Sequence, residues 1–217
     1  MSKPDASTTP RERYRAQVRE EIKRHAWEQI ATAGASALSL NAIAKRMGMS
    51  GPALYRYFAG RDELINALIT DAYRSLADTF RARAEAGTDL RDLAQALREW
   101  ALADPQRYFL VYGTPVPGYR APDDTTRIVS EVMAVILDAC TAENLPDVPP
   151  SPLEAHLDEH RAWAGEHPAP PQALRRALAF WTRLHGALSL ELAGHFTGMR
   201  FDPARLYDAE ADSVADR

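Results

Sequence analysis

The chain has 217 residues, 46% hydrophobic and 26% charged, with a formal net charge of −4. This composition excludes a disordered or fibrous polymer and suffices for one or two domains with a buried core. No run approaches the ~18 consecutive apolar residues of a membrane span; the polar start lacks the apolar stretch of a secretory signal; the lone Cys140 permits no internal disulfide or cysteine zinc site. The expectation is a cytoplasmic, soluble protein with no membrane partner and no cofactor.

Charge is unevenly spread. Residues 1–61 hold 11 Lys and Arg against 5 Asp and Glu, and residues 62–217 hold 15 against 25. A basic N-terminal part on an acidic body predicts that one end meets a polyanion.

In chain order, residues 1–10 read as a flexible arm. A helix then begins near Arg11, with Tyr14, Val18, Ile22, Ala26 and Ile30 spaced by four and Arg15, Arg19 and Lys23 on a second row. That row reads either as a solvated face or as phosphate contacts. Gly34 ends the helix and Ser39 caps the next, whose inner face is Leu40, Ile43, Ala44 and Met47. Gly48 offers the left-handed turn that stops it. Ser50 and Pro52 then suit the cap and first turn of a helix over Gly51–Phe58, with Leu54 and Phe58 inward. Two short helices joined by a tight glycine turn form either an ordinary helical corner or a helix-turn-helix that enters a DNA major groove. The small residues Gly51, Pro52 and Ala53 permit close approach to bases, and Tyr55, Arg56 and Tyr57 can reach phosphates.

From Arg61 a long amphipathic helix carries Leu64, Leu68, Ala72, Leu76 and Phe80 to about Glu85, where Gly87 follows. Further helices are expected from Asp89 to Ala103, from Pro105 through Tyr112, from Asp123 or Asp124 to Ala142, and from Gln172 to Phe196. Gly113–Pro122 reads as a loop rimming a pocket or as a connector. The proline-rich stretch 146–171 reads as loop around one helical piece, 153–164, and residues 201–217 as an acidic tail. No strand pattern or repeat is present, so the fold class is all-α: domain 11–60 and domain 61–200.

The run Ile43-Ala44…Gly48-Met49-Ser50…Leu54-Tyr55-Arg56-Tyr57-Phe58…Arg61-Asp62-Glu63-Leu64 resembles the DNA-binding domain of the TetR family of transcriptional regulators. Tyr57 stands where many members have His, Arg61 where many have Lys, and Met47 where many have Ala. The run Trp181-Thr182-Arg183-Leu184-His185-Gly186 resembles a subgroup of that family named for its Trp-His-Gly residues. The resemblance implies an N-terminal three-helix DNA-binding domain and a C-terminal helical domain for ligand binding and dimerisation. It also implies a homodimeric repressor of a palindromic duplex operator, released by a small molecule. On that reading Asn41, Gly51, Pro52 and Ala53 face bases, while Ser39, Arg46, Ser50, Tyr55, Arg56, Tyr57 and Arg61 complete the DNA contact. Trp100, Tyr108, Phe109, Tyr112, Trp181 and His185 are the candidate effector contacts; each aromatic, and His185, reads equally as core packing. Gly186 inside a helix points to a close helix contact, within the body or across a dimer.

His156 and His160 at i, i+4 raise metal chemistry, but HLDEH lacks the glutamate position of the zinc-protease HExxH pattern. No nucleophile elbow, phosphate loop or triad appears. No metal site and no enzyme are expected; the alternatives are a helical metal-dependent hydrolase and a helical scaffold that binds no DNA.

Overall fold

The computed structural model describes residues 9–87, 89–113, 122–142 and 148–216. Among them the regular structure is helical throughout, in two compact units, Met1–Ile69 and Thr70–Arg217. No helix among the described residues is long and apolar enough to cross a membrane. The expected boundary at 60/61 moves into a helix. A continuous α4 carries the chain from one unit to the other, so neither composition nor a break marks the junction.

The first unit holds α1 (Pro10–Ala33), α2 (Leu40–Arg46), α3 (Gly51–Leu54) and the start of α4 (Arg61–Glu85). Only residues 1–8 of the expected arm lie outside the described residues; Thr9 caps α1, its hydroxyl accepting from Glu12 N–H while the Glu12 carboxylate accepts from Thr9 N–H. Val18, Ile22, Ala26 and Ile30 are buried as their spacing predicts, but Tyr14 is 65% exposed. Ser39 caps α2 by accepting from Ala42 N–H at 3.3 Å. At the other end Met49 N–H donates to Ala44 O and Gly48 N–H to Lys45 O, with Gly48 at φ 66°. This is the paired closure that a left-handed residue permits, and it sets the angle between α2 and α3. The expected helix Gly51–Phe58 is α-helical only to Leu54. It continues as turns, with Tyr57 N–H on Leu54 O at 2.8 Å and Phe58 N–H on Leu54 O at 3.3 Å. Ser50 occupies the cap position but makes no side-chain capping bond.

The second unit contains the rest of α4, then α5 (Leu90–Ala103), α6 (Pro105–Tyr112), α7 (Asp123–Ala142), α8 (Pro152–Glu159), α9 (Pro171–Leu192) and α10 (Pro203–Ala215). Helix α9 is its centre, packed by α5, α7, α8 and α10. Its inner face, Leu174, Ala177, Phe180, Leu184 and Leu188, is buried. Polar caps fix the element starts: Asp89, Asp104, Ser151 and Asp202 each accept from a backbone N–H two or three residues on. The anticipated loop Gly113–Pro122 falls on residues of which 114–121 lie outside the described set, as do residues 143–147. The helical piece at 153–164 is α8 followed by a 3-10 turn, Arg161–Ala164.

The expected acidic tail is instead helix α10. Tyr207, Ala211, Val214 and Ala215 are buried, and Tyr207 O–H donates to Ala94 O at 2.7 Å. Its acids are used outward: Arg91 pairs with Asp212 and Asp216, and Gln95 donates to Asp208. The buried Arg176 of α9, 4% exposed, donates to Val214 O at 2.8 Å and to Ala215 O, and so closes the C-terminal end of α10.

Candidate functional site

The first unit presents α2 and α3 with their ends together. Asn41 lies beside the start of α3, so that a Cβ on Gly51 would sit 3.5 Å from Asn41 Oδ1. Asn41, Arg46, Ser50, Pro52, Tyr55 and Arg56 are exposed, and Ser39, Gly51, Ala53, Tyr57 and Arg61 are half-buried. The α2–α3 pair therefore leaves every expected base-facing and phosphate-facing residue at least partly accessible. Beside it an open groove of about 360 Å³ is lined by Glu28, Gln29, Thr32, Ser39 and Arg46 among others.

Several of these side chains also have structural partners. The Arg61 guanidinium donates to Ala35 O at 2.7 Å, which ties the start of α4 to the turn after α1. Arg46 pairs with Glu28 at 2.9 Å. The His25 hydrogen bond, with Arg46 and Arg24 nearby, holds the Glu28 carboxyl below the usual range. Gln29 brackets Ser39, accepting from its N–H at 2.9 Å and donating to its carbonyl at 3.4 Å.

The basic row of α1 does something the sequence did not reveal. Arg15 donates to Arg56 O at 3.0 Å and Arg19 donates to Tyr57 O; the Arg19 guanidinium also lies 4.0 Å over the Phe58 ring. These arginines satisfy the carbonyls that end the α3 turn and hold it against α1. Only contacts across about 40 residues of chain define that role, and the local signal was a row of positive charge.

The second unit gathers Tyr108, Tyr112, Trp181 and His185. The His185 ring lies 4.2 Å from Tyr112 and 4.3 Å from Trp181, centre to centre, and Tyr112 also meets Tyr73 of α4 edge-on at 5.9 Å. Tyr108 O–H lies 3.1 Å from His185 Nδ1, 3.2 Å from His185 O and 2.8 Å from Ser189 Oγ. Burial pushes the Tyr108 and Tyr112 hydroxyls up and pushes the His185 imidazole down to about 3, so at neutral pH all three are uncharged. Two polar atoms in this cluster are buried with no hydrogen-bond partner among the described residues: Tyr112 O–H and His185 Nε2. Phe109 meets Tyr108 edge-on at 5.7 Å.

Trp100 is not part of it. It is buried, its Nε1–H donates to Ser75 Oγ at 3.1 Å, and Arg107 stacks on its ring at 4.4 Å while donating to its carbonyl. Its place among the candidate effector contacts is corrected to a core and anchoring residue. Tyr73 and Ser189 join the cluster unforeseen. Ser189 follows His185 by four residues, one turn along the same face; Tyr73 had no sequence signal beyond its type.

His156, Glu159 and His160 offer donor atoms within 4.8 Å of one another, all exposed. His160 Nδ1 lies 2.9 Å from His156 O at the end of α8.

Comparison with known proteins fits both units. A family described as bacterial regulatory proteins, tetR family, matches residues 22–68, and a tetracyclin repressor-like C-terminal domain matches residues 90–214. The HTH-type transcriptional regulator Rv1816 of Mycobacterium tuberculosis is 36% identical over 211 residues, 90% of each chain. The crystal structure of a regulatory protein, SCO4313, superposes with a TM-score of 0.88 at 69% identity, covering 96% of this chain and all of that one. A TetR variant from Acinetobacter baumannii in complex with minocycline shares the fold, with a TM-score of 0.56 at 16% identity over 90% of this chain and 92% of that one.

Proposed function

The chain belongs to the TetR family of bacterial transcriptional regulators, and from that premise we propose that it is a homodimeric repressor that a small molecule releases from a palindromic operator. The observation that carries the DNA half is the approach of Asn41 to the start of α3 at Gly51, with Asn41, Pro52, Tyr55 and Arg56 all exposed. On this reading α3 enters the major groove, the Asn41 amide pairs with a base edge, and Tyr55, Arg56 and Tyr57 hold phosphates. Arg15 and Arg19 position the α3 turn, while Arg61 positions the start of α4. The test is a comparison of two variants on a panel of single-base operator mutants. Asn41→Ala is expected to change the base preferred at one position, and Tyr55→Ala to weaken every duplex alike. Identical preference profiles for the two variants would refute the division of roles.

The dimer half rests on the outer face of α9. Gly186 is exposed, and among the described residues a Cβ placed on it would meet nothing within 4 Å beyond its own stretch of helix. Among the described residues, the close contact expected at this glycine is not made inside the protomer. Thr182 and Leu190, the latter 44% exposed, continue the same face one turn to either side. A second copy supplies the missing neighbour. Gly186→Arg is expected to sediment as a monomer and to lose operator affinity; an unchanged dimer would place the interface elsewhere.

Release follows from linkage. The aromatic cluster around His185 takes the effector, and Tyr73, at its edge, lies on α4, the helix whose first turn is tied to the reading unit through Arg61 and Glu63. An effector that binds better to a state in which α4 is displaced lowers DNA affinity by the factor by which DNA lowers its own.

A further inference from the structure

The polar atoms left without partners define what the effector must be. Among the described residues Tyr112 O–H and His185 Nε2 are buried and unpaired, and such atoms are uncommon in folded proteins because each forfeits its bonds to water. They lie on rings 4.2 Å apart. Tyr112, Trp181 and His185 are nevertheless only half-buried as whole residues.

The cluster carries no charge to meet a charged ligand. Every hydrogen bond and ring contact of Tyr108, Tyr112, Trp181 and His185 among the described residues is to a neutral group. The His185 shift has burial as its cause, with no carboxylate contributing. A carboxylate or ammonium brought here would be desolvated without compensation.

Tautomerism narrows the polar group further. The single Tyr108 hydroxyl proton can go to His185 O, to Ser189 Oγ or to His185 Nδ1. In the first two cases Nδ1 carries the imidazole hydrogen and Nε2 is an acceptor; in the third Nε2 carries it and donates. A carbonyl satisfies only the donor form and an N–H only the acceptor form. A hydroxyl satisfies both, and it pairs with Tyr112 O–H in either case.

We propose that the effector of this chain is a small uncharged aromatic molecule bearing a hydroxyl, its ring among Tyr108, Tyr112, Trp181 and His185 and its hydroxyl paired with His185 Nε2 and Tyr112 O–H. This rests on the aromatic cluster being the effector site, and the test separates the two. Four probes share one ring and differ in one group: 4-ethylphenol, ethylbenzene, 4-ethylbenzoate and 4-ethylbenzylammonium. Each is titrated into the full-length dimer by calorimetry and thermal shift up to millimolar concentration. The expected order puts 4-ethylphenol first, roughly tenfold tighter than ethylbenzene, with the two ions weakest. Tyr112→Phe and His185→Phe are each expected to abolish the advantage of the phenol while ethylbenzene still binds. Tyr112→Phe should also raise the melting temperature of the ligand-free protein, since it deletes a buried hydroxyl that has no partner. Tightest binding by an ion, weakened by Trp181→Ala, would overturn the proposal and leave the effector site in place. Binding of none of the four, or phenol binding untouched by all three variants, would overturn both.

Discussion

Replacing Arg176 by Met is expected to lower the stability of the C-terminal unit by about 3–5 kcal/mol, the largest effect of any single change considered. Arg176 is buried and is bonded to the carbonyls of Val214 and Ala215, the last of α10. Methionine fills similar volume but donates nothing, so two carbonyls of a buried helix end lose their partner. Helix α10 holds α5 through Tyr207 and Ala94, so the loss spreads beyond one cap. The control is Arg127→Met on α7, whose exposed guanidinium pairs with the likewise exposed Asp124 at 2.9 Å. A pair of that exposure is worth about 1 kcal/mol or less. Thermal unfolding followed by circular dichroism should show a drop of roughly 10 °C for the first variant, and a few degrees at most for the second. Equal shifts would show that α10 is held by apolar packing alone.

The second large effect is in pH. The His185 imidazole is pushed down to about 3 by burial, from 6.5. Between those values the unfolded chain binds a proton that the folded chain refuses, so stability rises with pH across that window and is complete above about 6.5. Going from pH 7 to pH 5 should therefore cost about 2 kcal/mol through this residue. The groups facing it, Tyr108 and Tyr112, are themselves pushed up by burial and do not titrate there. Urea unfolding at both pH values, for the native chain and for His185→Gln, isolates the contribution. The native chain should lose that much more than the variant, and parallel losses would mean that the imidazole takes up its proton within the fold.

The helical architecture was legible because it is local. The stripe Leu64, Leu68, Ala72, Leu76 and Phe80 is buried throughout, and Ser39 and Gly48 carry out the capping and turning that their types announce. Helix α10 was legible too: Asp202-Pro203 is a start signal, and Tyr207, Ala211, Val214 and Ala215 follow at helical spacing. Its acidic composition hid that pattern, since those acids lie on its outer face against Arg91 and Gln95. What the sequence could not yield were bonds between distant segments: Arg15 and Arg19 on the α3 turn, Trp100 on Ser75, and Tyr73 beside Tyr112. Charge and aromaticity name the chemistry such residues are able to do. Only the fold selects the partner, as with Arg61, read as a phosphate contact, whose guanidinium donates to Ala35 O.

The central claim, that the adjoining ends of α2 and α3 read duplex DNA, is tested most directly by selection from a random duplex pool with the full-length protein. A doubly substituted control, Tyr55→Ala with Arg56→Ala, runs in parallel; both side chains are exposed, so the fold of the unit should survive their loss. Recovery of an inverted repeat, with affinity falling steeply as salt rises and absent from the control, is the predicted result. No enriched sequence at low or moderate salt, from protein refolded to remove any bound small molecule, would contradict it.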